Sequence, residues 1–418
     1  CTVAICNNPD LRAVAMLSVF RSGEIEEQMM SVGYEDIQKE YAREKERAAQ
    51  RTLTSPGELP VSYEEITSTW LTAVLAPALG AEASGAEVVD HRLGDADEGT
   101  SSRRRIYLTW NTAGEQRGLP GSVFCKGTMN LPSRYILGMN GGIAAETTFY
   151  NTVRPKLPIR APEALFARYD PVSLNSIIIM RDIGEEVTFA SHELTLSLEQ
   201  ARSQLRLLAT LHARYWDAAE LGTELAVWKN WEEYFAITAD EAGFGPACER
   251  GFRQAEDVIP ARLFSRAEEV WPATLRCVED NRRLPRTLIH SDVHLKNWYI
   301  DADGELGLND WQCSSKGTWG RDVAYAVSTA LSVEDRRAWE RDLLAYYLEQ
   351  LRANGVDAPG FGEAWRIYRQ QLFAALAWWT GTLGQPPEAP KMQPEDTSRE
   401  FIRRIAHAID DLEALDAF

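Results

Sequence analysis

The hydrophobic pattern of this chain changes near Glu193, and the change limits the folds that the chain can adopt. Before this point, short apolar runs bounded by turn residues predict strands at 86–93, 104–110, 121–126 and 175–180. The same half has apolar residues at helical spacing at 63–79 and 143–153. After it, long helical periods cover 194–218, 261–281, 334–352, 364–383 and 398–415. The pattern predicts an α+β protein, with a sheet-containing part followed by a mainly helical part.

Length and charge exclude several classes of function. At 418 residues the chain exceeds one ordinary domain, so two domains or one large two-lobed unit is expected. Its formal net charge of −18 repels nucleic acid phosphates and anionic lipids, and we expect neither as a partner. No apolar run approaches the roughly 20 residues that span a bilayer, and no secretory signal pattern is present. We therefore expect a cytoplasmic protein.

The first 57 residues are predicted to be an extension that precedes the core. They are polar, end in a charged helical run over 35–51, and close on the turn sequence Ser55-Pro56-Gly57. The expected division is therefore 1–57, a sheet-containing lobe at 58–183 and a helical lobe at 184–418. Because the chain does not begin with methionine and Met30 would make a plausible start, the origin of residues 1–29 stays open.

A carboxylate, an amide and a second carboxylate form the sharpest chemical signal. Asn297 follows Asp292 by five positions, and Asp310 lies across a predicted hairpin of strands 298–300 and 306–308. Phosphoryl transfer needs a group that orients the attacking hydroxyl and oxygen ligands that hold Mg²⁺ against the nucleotide phosphates. The three side chains are of those types. The alternative is that they are polar residues of two ordinary turns.

These residues also carry a family resemblance. The segments His290-Ser-Asp-Val-His-Leu-Lys-Asn297 and Leu308-Asn-Asp-Trp-Gln312 resemble the catalytic and metal-binding segments of aminoglycoside phosphotransferase-like kinases, a group that includes choline and ecdysteroid kinases. The resemblance implies a protein-kinase-like bilobal fold, with an antiparallel-sheet N-lobe, a mainly helical C-lobe and ATP between the lobes. It implies Asp292 as the catalytic base, and Asn297 and Asp310 as Mg²⁺ ligands.

Three further residues, in or near these segments, bear on the resemblance. The family usually has glycine where Ser291 stands, a departure that a small residue should tolerate. His294 is left out of the mechanism, because a histidine in such a loop is more often structural. Asp322, in the segment 320–325, resembles an aspartate that braces the catalytic loop and does not touch substrate.

A lysine within an apolar strand marks the expected nucleotide site. Lys126 ends the run Val123-Phe-Cys-Lys126, and a buried ammonium needs a partner, for which Glu146 in the following helix is suitable. In kinases of this type such a pair places the lysine against the α- and β-phosphates. The resemblance therefore implies cofactor-binding roles for Lys126 and Glu146. A solvated lysine at a strand end is the alternative.

Two further segments are expected near the nucleotide. Ile177 to Gly184 resembles the hinge between the lobes, where Met180, Arg181 and Ile183 would contact the adenine; many relatives have an acidic residue where Arg181 stands, so ATP or GTP stays open. The acidic loop 94–102 lacks a glycine-rich phosphate pattern, which leaves its backbone N–H groups and Ser101 or Ser102 as candidate phosphate contacts. A plain hairpin loop is the alternative there.

The resulting hypothesis is an ATP- and Mg²⁺-dependent O-phosphotransferase that acts on a hydroxyl of a small molecule, such as an antibiotic, an amino alcohol or a sterol. Two alternatives stay open. One is a peptide Ser/Thr kinase for which residues 1–29, with Thr2 and Ser18, are substrate or leader. The other is a nucleotide-binding module without catalytic activity. The sequence leaves the oligomeric state open.

Overall fold

A computed structural model describes residues 33–241, 243–386 and 392–418. The described chain forms two compact units: a sheet unit of 33–156 and 161–186, and a helical unit of 157–160 and 187–418. The division after Glu186 lies three residues from the boundary expected from the sequence, and the described part of the expected extension belongs to the sheet unit. Residues 1–29, the hypothetical peptide substrate, lie outside the described residues.

The sheet unit has five antiparallel strands in the order β1-β2-β3-β5-β4. The strands are β1 (Val88–Glu98), β2 (Ser102–Trp110), β3 (Ser122–Gly127), β4 (Ala164–Tyr169) and β5 (Ser176–Arg181). The α-helices are α1 (Tyr34–Ala48), α2 (Ser68–Leu79), α3 (Thr112–Gln116), α4 (Leu131–Met139) and α5 (Gly142–Thr148). A single π-helical turn, Phe149–Val153, continues α5.

Helix α2 covers one face of this sheet. Thr67 caps the helix by accepting the N–H of Trp70 on Oγ1 at 3.0 Å, which satisfies a donor that the first turn leaves unpaired. Apolar residues of α2 and the sheet form one core: Trp70, Leu71, Val74, Leu75, Ile106, Val123, Cys125, Ile177 and Ile179. Because strand side chains alternate, Arg103, Lys126 and Met180 point to the opposite face.

The helical unit is built around long, largely buried helices. Its α-helices are α6 (Leu198–Arg214), α7 (Trp231–Glu241), α8 (Phe244–Gln254), α9 (Ala261–Phe264), α10 (Ala267–Asn281), α11 (Trp319–Ala330), α12 (Val333–Ala353), α13 (Phe361–Leu383) and α14 (Glu395–Asp411). Its strands are β6 (Thr188–Phe189), β7 (Thr287–Ile289), β8 (Trp298–Ile300), β9 (Leu306–Leu308) and β10 (Ser315–Gly317). Every residue of α11 is buried, and α13 packs against α8, α10, α11 and α14. No helix in the described parts of the chain is both long and apolar enough to cross a membrane.

The elements confirm the predicted α+β class, a sheet followed by helices. The predicted hairpin is also confirmed, since β8 and β9 pair antiparallel with Trp298 opposite Leu308. Elements that were not predicted include α4, β4, α7 and α8. Strand β4 lies at the sheet edge and alternates weakly in burial, and Gly243, with φ +61°, separates α7 from α8. Edge strands and helices interrupted by a left-handed glycine lack the sustained apolar period on which such predictions depend.

Candidate active site

The loop before Asp292 is held by a carboxylate from helix α11. Asp322 is fully buried, and its two oxygens accept the backbone N–H groups of His290 at 2.8 Å and Ser291 at 2.9 Å. His212 of α6 lies against the same carboxylate, with Nε2 3.3 Å from Oδ2. Burial acts to raise the pKa of Asp322, but these hydrogen bonds and the neighbouring imidazoles outweigh it and lower the pKa. The predicted bracing role of Asp322 is confirmed.

Ser291 adopts a left-handed backbone conformation, with φ +69°. An L-residue with a Cβ reaches this region at a cost of about 1–2 kcal/mol, whereas glycine does not pay it. The hydroxyl of Ser291 lies 2.6 Å from that of Ser315, and its carbonyl accepts from Arg321 Nη2 at 3.0 Å. The departure from glycine is thus accommodated by a hydrogen bond that glycine could not make.

Asp292 follows directly, with 31% of its side chain exposed. Asn297 Nδ2 donates to its backbone oxygen at 2.7 Å and to Oδ2 at 3.3 Å, and Tyr325 donates to Oδ1 at 3.4 Å. Burial acts to raise the pKa of Asp292, but the nearby groups of His294 and Arg321 outweigh it and lower the pKa. The carboxylate is therefore ionised at neutral pH and can accept a hydrogen bond from a hydroxyl.

His290 connects the loop that carries Asp292 to the segment that carries Asp310. Its buried ring accepts the N–H of Asp292 on Nδ1 at 3.2 Å, and Nε2 lies 2.9 Å from the carbonyl of Asn309. The two contacts require a neutral imidazole with its proton on Nε2, in agreement with burial, which lowers the pKa of His290. Sequence reasoning gave His290 no role. Its place two residues before Asp292 was the available signal.

His294 contacts Asp292, although sequence reasoning left it out of the site. Its Nε2 lies 3.5 Å from Oδ2 of the aspartate, and its side chain is 7% exposed. The ring lies between Tyr325, Trp379 and Phe401, at centroid distances of 6.2, 5.2 and 5.9 Å. Trp379, itself buried, is therefore a core residue beside the loop that carries Asp292.

The β8–β9 hairpin brings the two expected metal ligands to one end. Asn297 immediately precedes β8, and its carbonyl accepts the N–H of Asn309, which follows β9 by one residue. Asp310 comes next in a left-handed conformation with φ +62°. An amide oxygen and a carboxylate are ligand types that Mg²⁺ accepts in company with phosphates and water. The donor set therefore fits magnesium, although no group of three His, Cys, Asp or Glu side chains that could hold a metal occurs among the described residues.

Arg321 is another residue near Asp292 to which sequence reasoning gave no role. It is fully buried, and its guanidinium lies over the rings of Trp231 and Tyr325, at 5.0 and 4.9 Å. Burial lowers its pKa. Arg321 and Asp322, adjacent in α11, hold the carbonyl and the N–H of Ser291 respectively.

The sheet unit contains the expected lysine and glutamate pair. Lys126 Nζ lies 2.9 Å from Glu146 of α5, and the two side chains are 8% and 6% exposed. The predicted pairing is observed, and the phosphate contact stays a prediction. Burial of both charges away from water makes each depend on the other.

The expected hinge is fixed by an aspartate that sequence reasoning did not assign. Asp182 accepts from Arg105, Ser122 and the N–H of Gly184. Of the residues proposed to contact adenine, Met180 is buried, Arg181 donates its N–H to the Glu163 carbonyl at 2.9 Å, and Ile183 accepts from the N–H of Glu186 at 3.0 Å. These backbone groups already have partners within the sheet unit. The adenine contacts stay a prediction.

The loop between β1 and β2 is shorter than expected, because the strands extend to Glu98 and from Ser102. Ser101 is buried, and its carbonyl accepts the N–H of Gly99 at 3.1 Å. The Ser102 hydroxyl donates to Glu98 at 2.7 Å. A phosphate contact from Ser101 stays a prediction, and one from Ser102 would have to replace this bond.

Comparison with known proteins places these residues in a family. Residues 97–355 match the model of the ecdysteroid kinase-like family, and this range includes Lys126, Asp292 and Asp322. No curated protein sequence matches the chain. The match covers more than half of the chain.

Solved structures that match this chain share little sequence identity with it. An ethanolamine kinase of Plasmodium vivax has 11% identity and a TM-score of 0.45, with 94% of this chain and 96% of that chain covered. The choline kinase LicA of Streptococcus pneumoniae has 14% identity and a TM-score of 0.42, with 78% and 94% covered. An aminoglycoside phosphotransferase of Streptomyces rimosus has 14% identity and a TM-score of 0.39, with 68% and 92% covered.

The family match and the observed elements, an antiparallel sheet unit and a mainly helical unit, identify the protein-kinase-like fold that the sequence predicted. The chain belongs to the ecdysteroid kinase-like family and is a phosphotransferase that acts on a hydroxyl group.

Proposed function

We propose that this protein transfers the γ-phosphate of ATP, with Mg²⁺, to a hydroxyl of a small molecule. One observation carries the proposal: Asp292 is partly exposed on a loop whose backbone is held by Asp322. The same loop continues to Asn297, which shares one end of a hairpin with Asp310. Base and metal ligands thus belong to one connected hydrogen-bonded segment.

In the proposed reaction the acceptor hydroxyl oxygen attacks the γ-phosphorus, and the bond from that phosphorus to the β–γ bridging oxygen breaks. ADP is the leaving group, and the hydroxyl proton passes to the Asp292 carboxylate. Because the pKa of Asp292 is lowered, its main contribution is to orient the hydroxyl, and it takes the proton late. A loose transition state for phosphoryl transfer needs such positioning more than it needs a strong base.

Asn297 and Asp310 would hold the metal. The hydrogen bonds of Asn297 to Asp292 use its amide nitrogen, so its carbonyl oxygen is the atom suited to a cation. When bound, Mg²⁺ supplies positive charge that neutralises the nucleotide phosphates. Asp310 is half-buried and lies two residues after the end of β9. Its carboxylate can be the second protein ligand of the metal.

Several acceptor classes suit a hydroxyl-directed site. The solved structures that match the chain include kinases of ethanolamine, choline and aminopropanol, and a macrolide 2′-phosphotransferase. Their nucleotide complexes include one with AMP and one with GDP. We therefore propose ATP as the donor and test GTP beside it. The acceptor panel covers amino alcohols, aminoglycosides, macrolides, sterols and sugars.

The decisive experiment measures transfer of labelled γ-phosphate from MgATP to that panel. The parent is compared with Asp292→Asn and with Asp303→Asn, a matched control in the exposed turn of the β8–β9 hairpin, where the side chain is 82% exposed. Loss of a positioned general base lowers turnover by about 100- to 10,000-fold. We expect that loss for Asp292→Asn and parent activity for Asp303→Asn.

Equal turnover in the parent and Asp292→Asn would contradict the assignment of the base. Nucleotide binding without transfer to any acceptor would favour a silent module. A matching comparison of Asp310→Asn with the parent over a range of Mg²⁺ concentrations tests the metal site. We expect the variant to need more Mg²⁺ for half-maximal turnover.

A further inference from the structure

Arg103 lies beside Lys126 on the face of the sheet that helix α2 leaves uncovered. The β2–β3 register places the two residues directly opposite each other. Directly opposite residues of an antiparallel pair point to the same face, with Cβ atoms about 4.5–5.5 Å apart. The core residues Ile106, Val123 and Ile177 occupy the other face. Two cations are therefore neighbours on this face, and the lysine is the residue expected to contact phosphate.

The turn between β1 and β2 lies against the guanidinium of Arg103. The turn is closed by the N–H of Gly99, which donates to the carbonyl of Ser101 at 3.1 Å. A Cβ added to Gly99 would lie 3.0 Å from Nη2 of Arg103, so a side chain there would push the guanidinium aside. In a kinase this turn occupies the position of the loop that covers the phosphates. Here it covers an arginine.

The partner of Arg103 is one that a phosphate can replace. Asp97 lies with Oδ2 3.0 Å from Nε and accepts from Nη2 on Oδ1 at 3.1 Å. The side chain of Asp97 is 63% exposed and that of Arg103 is 33% exposed, and water screens such an ion pair strongly. By contrast, Lys126 is buried with Glu146, and Arg105 on the same strand donates to the largely buried Asp182, whose side chain is 9% exposed. Arg103 thus has the most exposed carboxylate partner of these three cations.

We propose that Arg103 binds the phosphate chain of the nucleoside triphosphate, exchanging Asp97 for phosphate oxygens when the nucleotide binds beside Lys126. The assignment rests on the proposed nucleotide-dependent function. A guanidinium presents several donors in a planar fork that suits phosphate oxygens. It would supply contacts that a glycine-rich loop makes with backbone N–H groups, which accounts for the absence of that pattern in 94–102. The acidic side chain of Asp97 then holds the arginine in place until phosphate arrives.

The neighbouring Arg104 provides a matched control. It points to the opposite face, where Nη1 lies 2.6 Å from Glu64 and the guanidinium lies 5.7 Å from the ring of Tyr63. Binding of MgATP and of adenosine to the full chain is measured by calorimetry for the parent, Arg103→Gln and Arg104→Gln. We expect Arg103→Gln to weaken MgATP binding by about 10- to 100-fold, the size of a lost charge-assisted contact, and to leave adenosine binding unchanged. Arg104→Gln should bind both ligands as the parent does.

Asp97→Asn gives a test in the opposite direction. Removing the competing carboxylate should tighten MgATP binding by a few-fold, and Asp95→Asn, the same change on the exposed part of the same strand, should do so less. This arm also decides the matter if Arg103→Gln does not fold. Unchanged MgATP affinity in Arg103→Gln, equal loss of adenosine binding, or equal effects of Asp97→Asn and Asp95→Asn would each overturn the role of Arg103. A parent that binds no MgATP would instead overturn the proposed function.

Discussion

The two units hold their candidate functional side chains by different means. In the sheet unit, Lys126 is held by another side chain, Glu146, and both lie away from water. In the helical unit, Asp292 is positioned through its backbone, because Asp322 accepts the N–H groups of His290 and Ser291, the two residues that precede Asp292. An ion pair fixes the end of a flexible side chain, whereas a carboxylate bound to backbone amides fixes the path of the chain.

This difference predicts which site tolerates change. Loss of Glu146 leaves the buried ammonium of Lys126 without this carboxylate. The cost is limited, because a lysine can move its flexible side chain towards water. Loss of Asp322 leaves two buried backbone donors without their acceptor, and backbone groups cannot move without moving the loop. The helical unit should therefore be the more sensitive of the two.

The largest expected effect is that of Asp322→Ala. Removing a fully buried carboxylate and leaving its donors unpaired should lower the free energy of unfolding by about 3–5 kcal/mol. Turnover should fall with it, because Asp292 loses its fixed position. Urea unfolding and the phosphate-transfer assay measure the two effects, and Asp342→Ala on the exposed surface of α12 is the control. A loss of less than about 1 kcal/mol would show that the loop holds its own path.

The pH dependence of this stabilisation has a defined sign. The folded pKa of Asp322 is lowered, so its contribution is present above the unfolded pKa of about 3.9 and is lost as the pH falls through the folded pKa. The difference in unfolding free energy between the parent and Asp322→Asn should therefore narrow as the pH falls below about 4. Urea unfolding at pH 7, 5 and 3.5 measures it. A difference that widens in acid would contradict the bracing role.

A double-mutant cycle at Lys126 and Glu146 should show smaller losses. Glu146→Gln should lower the unfolding free energy by about 1–3 kcal/mol, because a buried ammonium loses an ionised partner. Lys126→Met with Glu146→Gln should cost less than the sum of the single changes, since neither charge is then left alone. Thermal or urea unfolding of the four proteins gives the coupling energy. Additive losses would mean that the two charges do not depend on each other.

The sequence predicts some parts of this site and misses others, and the difference depends on how far apart in the chain the contacting residues lie. Asp292, Asn297 and Asp310 were predicted to act together because they lie near a hairpin that turn residues make visible, and the structure places Asn297 and Asp310 at one end of it. The bracing by Asp322 was predicted through family resemblance. Both depend on short segments of sequence in which residue types and spacing are informative.

Contacts between distant segments were not predictable in the same way. Arg103 beside Lys126 depends on strand register, and Arg105 with Asp182 joins residues 77 positions apart. His294 and Arg321 are surrounded by aromatic rings from several helices, and no local pattern indicates which helices meet there. Helix packing decides these contacts, and single-sequence periodicity predicts only the buried face of each helix.

Substitutions at Ser291 should test the backbone path directly, with effects of intermediate size. Ser291→Gly removes the strain of the left-handed conformation and the bond to Ser315 together, so stability should stay within about 1 kcal/mol of the parent. Ser291→Ala keeps the strain and loses the bond, and should be about 1 kcal/mol less stable than Ser291→Gly. Ser291→Val should be lower still, since a β-branched residue is least suited to this conformation. Urea unfolding measures the order of stability of these variants. A Ser291→Ala variant that is more stable than Ser291→Gly would contradict the expected order.

The smallest effect is expected at His294, and it separates side-chain contact from backbone bracing. If Asp322 fixes Asp292, the 3.5 Å contact from His294 Nε2 should add only about 1 kcal/mol, or roughly fivefold in turnover. His294→Gln keeps a donor near that position and should stay within a few-fold of the parent, whereas His294→Leu should show the full loss. Steady-state kinetics should place the change in kcat, with KM for the acceptor little altered. A fall of more than about 100-fold in His294→Leu would mean that the imidazole, and not the braced backbone, holds the Asp292 carboxylate.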